Sequence, residues 1–245
     1  MGRAFEYRKA AKMKRWGTMS KVFPKLGKVI TMAAKAGVPD PDMNPRLRTA
    51  ILTAKAQNMP KHNIEAAIKR ALGKDSADIK EMHYEAKGPY GTQFIIDCAT
   101  DNGTRTVANV KAVLTRNRAE MLTSGSLNFM FSRKSVFTFD KTEDMDIEEL
   151  ELELIDAGLE EIEEDIEPQE NADDKAILRI FGEFSAFGDL SKALEEMKIE
   201  VTKGEHQYIA NTAIELTDEQ LEEVDVLIEK LEDDEDVQAV YTNVN

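Results

Sequence analysis

Charge is sorted along this chain of 245 residues, and the sorting limits what the chain can fold into more than any other feature. Residues 1–74 carry 17 Lys or Arg against 4 Asp or Glu, residues 75–140 carry 8 against 8, and residues 141–245 carry 7 against 35. A formal net charge of -15 thus conceals a strongly basic beginning and a strongly acidic end. An asymmetry of this size marks a polyanion-facing part joined to a solvated acidic part. The acidic end does not cancel the basic one: a compact 74-residue unit has a radius of gyration of roughly 11 Å, longer than the Debye length of about 8 Å at physiological salt.

The remaining composition narrows the class. Apolar residues at 42% and charged residues at 32% are the balance of a globular chain, and the length suggests one to three domains. No stretch reaches the ~18 consecutive apolar residues of a membrane-spanning helix, and the basic N-terminus lacks the apolar run of a signal peptide. Cys98, within FIIDCAT, stands alone, so neither a disulfide framework nor a thiolate metal cluster is expected. A cytoplasmic protein with no membrane partner is the expectation.

Apolar periodicity places the elements. Three short helices are predicted in the basic part. The first runs from a Ser20 cap to about Ala36 with Gly37 as its stop, the second from Asn44 and Pro45 to about Asn58, and the third contains Ile64 to Leu72 and ends at Gly73. An upstream helix is expected over Arg8–Arg15. Beyond Gly73 come a strand at 92–100, a helix at 104–116 and a strand at 126–132, read as a βαβ unit. Further on, strands near 136–139, 159–166, 176–181 and 199–202 with helices near 147–157 and 187–197 give the order βαββαβ, the ferredoxin-like plan. A strand at 211–216, a helix at 218–231 and a strand at 237–241 close the chain. These last strands need sheet partners, which predicts that the ferredoxin-like part is inserted into a discontinuous α/β domain.

Catalytic signatures are missing from the sequence. The carboxylates occur in runs, such as Glu148, Glu149, Glu160, Glu161, Glu163 and Glu164, which read as solvated faces. His62, His83 and His206 are far apart in sequence, with no zinc-site spacing and no phosphate-cradling or nucleophile-elbow glycine motif. No catalytic residue, metal, cofactor or small-molecule substrate is therefore expected. The basic part offers a different chemistry. Arg3, Arg8, Lys9, Lys12, Lys14 and Arg15 fall within 13 residues, interleaved with Phe5, Tyr7 and Trp16. Each cation can neutralise a phosphate, and aromatic rings can stack on bases, although Trp16 and Phe23 read more readily as core anchors. Lys21 and Lys25 continue the series. Arg46 and Arg48 sit at a helix N-terminus, where backbone N–H groups also favour an anion, and Lys55 follows on the same helix.

Four stretches carry a resemblance: NPRLRTAILTAKAQNMPKHNIEAAIKRA, YEAKGPYG, DNGTRT and SGSLNFMFSRK. In that order they closely resemble the YebC family of bacterial proteins, which includes a mitochondrial translational activator. The resemblance implies an α+β fold in three domains: a helical domain (1–78), a discontinuous α/β domain (79–133 plus 208–245) and an inserted ferredoxin-like domain (134–207). It also implies a non-enzymatic, DNA-binding transcriptional regulator. Two alternatives stay open, a ribosome-associated translation factor bound to ribosomal RNA and an acidic protein-interaction scaffold. The chain departs from the family pattern at its start, where GRAFEYRKAAKMKRW replaces G-H-S-K-W. It departs again after Asn117, where RAEMLTSG replaces a glycine-rich stretch, and at His62, where an aspartate is expected.

Overall fold

The computed structural model of the chain describes residues 19–73, 78–142, 145–167 and 175–244, with the side chains of Met19 and Ser20 left out. The helix expected over Arg8–Arg15 and the cations Arg3, Arg8, Lys9, Lys12, Lys14 and Arg15 lie outside the described residues, as does the side chain of the expected Ser20 cap. The fold is α+β with two antiparallel sheets. Contacts group the chain into two compact units, one of Met1–Val29, Lys74–Ser132 and Tyr208–Asn245, the other of Ile30–Gly73 and Arg133–Gln207.

In the first unit the sheet order is β3-β1-β2-β8, with β1 at Lys80–Lys87, β2 at Gln93–Thr100, β3 at Glu120–Met121 and β8 at Val237–Thr242. The near-continuous apolar run of β2 suits a strand covered on both faces. Phe94, Ile96 and Cys98 pack with Val110 and Leu114 of α4 (Gly103–Arg116) and with Val224, Leu227 and Leu231 of α7 (Asp218–Glu232). Ile95 points the other way, against Leu127 and Phe131. Burial pushes the Cys98 thiol up to about 12, so it behaves as a small apolar side chain. Helix α7 opens with a reciprocal capping box between Thr217 and Gln220.

Three expectations change here. Strand β1 was not predicted, because KEMHYEAK reads as a polar run. Yet its alternate residues Met82, Tyr84 and Ala86 do join the core, and pairing with β2 makes it a strand. Consequently β2, α4 and β3 form a split crossover, with β1 hydrogen-bonded between the two strands. The strand expected over 126–132 is mostly turn, with β4 (Phe131–Asp140) starting only at its end. Glu85, 3% exposed, takes the Gly125 and Leu127 N–H groups at 2.6 and 2.7 Å, and that competes with a ladder. At 211–216 only an isolated parallel bridge forms, from Ile214 to Val244.

The second unit holds the other sheet, order β5-β6-β4-β7, from β4, β5 (Leu159–Glu167), β6 (Lys175–Glu183) and β7 (Val201–Ala210). With α5 (Ile147–Ile155) and α6 (Phe187–Glu196) between strands, the chain order is βαββαβ. Its core combines Phe137, Phe139, Leu178 and Ile180 with Leu150, Leu154, Leu190 and Leu194. Gly158, at φ +94, turns the chain out of α5, a conformation that costs a residue with a side chain more than it costs glycine.

Also in this unit are α2 (Pro45–Ala56), α3 (Lys61–Leu72) and the end of α1 (Met19–Ala36). Asn44 staples them. Its Oδ1 accepts the Leu47 N–H at 3.1 Å, capping α2, while its amide donates to the Ala33 and Val38 carbonyls at 2.9 Å each. Thr31 of α1 donates to the Ala67 carbonyl of α3 at 3.0 Å. Beneath α2, Gly204 of β7 leaves room for Thr49, whose methyl would stand 2.3 Å from an added Cβ.

Candidate nucleic-acid interface

Helix α1 carries Lys21, Lys25 and Lys28 at i, i+4 and i+7, which puts the three on one face. Each meets the C-terminal end of α7 or the turn behind it. Lys21 pairs with the Asp233 carboxylate at 2.7 Å, and Lys25 donates to the Glu232 carbonyl at 2.6 Å. Lys28 donates to the Glu235 carbonyl and to Asp236, both at 2.8 Å. The last carbonyls of a helix lack intrahelical partners and carry the negative end of its dipole, so ammonium groups belong there.

Asp236 is the centre of this contact. At 2% exposure it accepts from Lys28, from Arg105 Nη2 at 2.8 Å, from Thr106 at 2.9 Å and from Thr100 at 3.2 Å. Burial alone would raise the Asp236 carboxyl. Hydrogen bonds from Lys28, Arg105 and Thr106 overcome that and lower it to about 2. The DNGTRT stretch is thereby explained: Asn102 caps α4 through the Arg105 N–H, and Arg105 and Thr106 hold the buried carboxylate.

The second unit uses its cations differently. Arg48 is committed to its own chain: Nε donates to the Pro41 carbonyl at 3.0 Å, Nη2 to the Asp42 carbonyl at 3.1 Å, and Nη1 pairs with Glu195 of α6. Arg46 and Lys55 are exposed on α2. Nine positions separate them, roughly a half-turn of azimuth, whereas Arg48 and Lys55, seven apart, share a side. Helix α3 adds Lys61, Lys69 and Arg70, exposed but not singled out from the sequence. Their signal was present in KHNIEAAIKRA, where the apolar residues Ile64, Ala67 and Ile68 force the cations outward. Lys61 lies 3.7 Å from Glu65. Among the described residues, Lys55, Lys69 and Arg70 have no ion-pair partner. His62 is a first-turn surface residue of α3.

Of the expected contacts that fall among the described residues, Lys21 and Lys25 are thus bound within the first unit and Arg48 within the second, while Arg46 and Lys55 stand at the surface. No group of three or more His, Cys, Asp or Glu placed to hold a metal occurs among the described residues. No helix there is long and apolar enough to cross a membrane.

Two antiparallel sheets and a set of short helices with outward cations define an α+β protein. The chain belongs to the TACO1/YebC family: residues 3–74 match its N-terminal domain and residues 79–244 its second and third domain. It is 74% identical over 245 residues to a "Probable transcriptional regulatory protein" of Sulfurovum sp. (strain NBC37-1), covering all of both chains. A protein of the same description from Sulfurimonas denitrificans is 61% identical over 244 residues, again across both full lengths. Among solved structures, a conserved hypothetical protein of Aquifex aeolicus matches with a TM-score of 0.75 at 30% identity, over 92% of this chain and 90% of that one.

Proposed function

We propose that the protein is a non-enzymatic transcriptional regulator that binds DNA through its basic helices, in the cytoplasm. The observation that carries this reading is the cationic exterior of α2 and α3: Lys55, Lys69 and Arg70 are exposed there, Arg46 is exposed on another side of α2, and Glu65 is the one acidic residue of the two helices. The relatives' description as transcriptional regulators supports a nucleic-acid partner. Phosphate contacts come from these four side chains and from the N-terminal series Arg3, Arg8, Lys9, Lys12, Lys14 and Arg15. Lys21, Lys25 and Arg48 serve the fold instead. We read the chain as three domains, at 1–78, 79–133 plus 208–245, and 134–207; the description of the matched segments as an N-terminal domain and a second and third domain supports the count of three.

Binding of duplex DNA, measured by fluorescence anisotropy between 50 and 200 mM salt, tests the reading. Each neutralised phosphate contributes roughly -0.9 to the slope of log K against log salt. A slope near zero refutes it. Comigration with ribosomal subunits in a sucrose gradient, with no binding to duplex DNA, would transfer the polyanion from DNA to ribosomal RNA. Deletion of residues 1–74 is a poor probe of either, because it strips Lys28 from Asp236; charge reversal at Arg46 and Lys55 is the cleaner variant.

A further inference from the structure

The chain turns sharply between α2 and α3. The Asn58 N–H donates to the Lys55 carbonyl and the Met59 N–H to the Ala54 carbonyl, both at 2.9 Å, with Asn58 itself at φ +56. Two such bonds around one left-handed residue are the Schellman closure of a helix, and the apolar residues at its two ends, Ala54 and Met59, are both buried. Pro60 then caps α3 in extended geometry. Two helices of 12 residues are thus joined by residues 57–60 alone, the short connection on which helix-turn-helix units are built.

Helix α3 divides cleanly along its length. At about 100° per residue, Ile64, Ala67, Ile68 and Ala71 fall within roughly 100° of arc. Ile64 and Ala67 are buried there, and Thr31 of α1 donates to the Ala67 carbonyl. Lys61, His62, Glu65, Ala66, Lys69 and Arg70 fall within the opposite half of the circumference, and all six are exposed. A helix about 10–12 Å across fits the major groove of duplex DNA, which is about 12 Å wide. Ala66, with only a methyl group near the middle of the outward face, lets that face approach closely.

Glu65 is the informative residue. Phosphates repel a carboxylate, so on a surface that met only the backbone it would subtract from binding. Its pair with Lys61, at 3.7 Å with side chains 89% and 65% exposed, adds little to the fold. Base edges in the major groove offer what the backbone lacks: the N4 amino group of cytosine is a donor that a glutamate accepts from.

We propose that α2 and α3 form a helix-turn-helix whose second helix reads duplex DNA in the major groove, with Glu65 accepting from a cytosine and Lys69 and Arg70 on adjoining phosphates. This rests on the DNA-binding reading and adds to it that a base pair is recognised, through the residues of the first two turns of α3.

The test selects binders from a pool of randomised duplexes with the full chain, wild type against Glu65→Gln and Glu65→Ala. The wild type should enrich a motif with a fixed cytosine, and replacing that base pair should weaken binding roughly 5- to 150-fold. Glu65→Gln should move the preference at that position to adenine, whose N6 and N7 a glutamine side chain engages together. Glu65→Ala should lose the cytosine preference and gain none. Both variants should melt with the wild type and bind unselected duplex at least as tightly, because a negative charge has gone. If the wild type binds duplex but enriches no motif, or if either variant keeps the cytosine, base reading by Glu65 is refuted and the DNA-binding reading stands. If the wild type binds no duplex, including the case in which it retains only RNA, both fall.

Discussion

The lysines of α1 and the cations of α2 and α3 come from one basic stretch, yet the fold uses them in opposite ways. Lys21, Lys25 and Lys28 lie at the carbonyl end of α7 and around a buried carboxylate, where they neutralise charge that the chain itself created. Lys55, Lys69 and Arg70 face water, and Arg46 is exposed on α2. A cation count along a sequence therefore overstates the surface available to a polyanion. Whether a lysine stripe serves folding or binding depends on what the acidic part of the same chain brings to it.

Substitutions on the two sides of that contrast should separate cleanly. The largest effect is expected from Asp236→Asn, which leaves the mostly buried Lys28 and the half-exposed Arg105 facing a neutral group. A loss of about 3 kcal/mol in urea unfolding is expected. In the wild type the same carboxylate sets an acid limit. Its value in the fold, about 2, lies below the ordinary 3.8, so its contribution is complete above about pH 4 and disappears as pH falls towards 2. Asp236→Asn should remove that part of the acid dependence.

Next in size is Arg46→Glu combined with Lys55→Glu. We expect nucleic-acid affinity to drop about 10- to 100-fold and the salt slope to shrink by about 2, with stability changed by no more than about 0.5 kcal/mol. Arg48→Ala should do the reverse, costing about 1 kcal/mol through its lost bonds to Pro41, Asp42 and Glu195 while affinity at fixed salt changes little. Smallest is Lys21→Ala. Its pair with Asp233 is open to water at 51% and 68% side-chain exposure, so about 0.5 kcal/mol or less is expected, fading as salt is added. A fall in affinity for Lys21→Ala as large as for the Arg46 and Lys55 variant would erase the distinction between the two regions.

Elements with strong local signals were legible in the sequence. The second helix has Asn44 and Pro45 at its start, α7 has Thr217 and Gln220, and β2 is nearly all apolar. Strand β1 was not, since only its register with β2 reveals that Met82, Tyr84 and Ala86 share an inward face. The apolar letters of LNFMF suggested a strand, but Glu85, about forty residues earlier, collects two N–H groups there and holds the backbone as a turn. The same limit applied to the candidate site. Sequence located the basic region and two of its exposed residues, Arg46 and Lys55, but Asp236 and Glu195 are more than a hundred residues from the cations they engage.

Local chemistry, then, was enough to determine the segregation of charge and most helix and strand positions, because caps, periodicity and composition act over a few residues. Tertiary structure alone decided which cations the fold engages and which strand a polar octapeptide becomes. Those outcomes depend on groups distant in sequence, and a hydrogen bond or ion pair forms only where the fold brings donor and acceptor within about 3 Å.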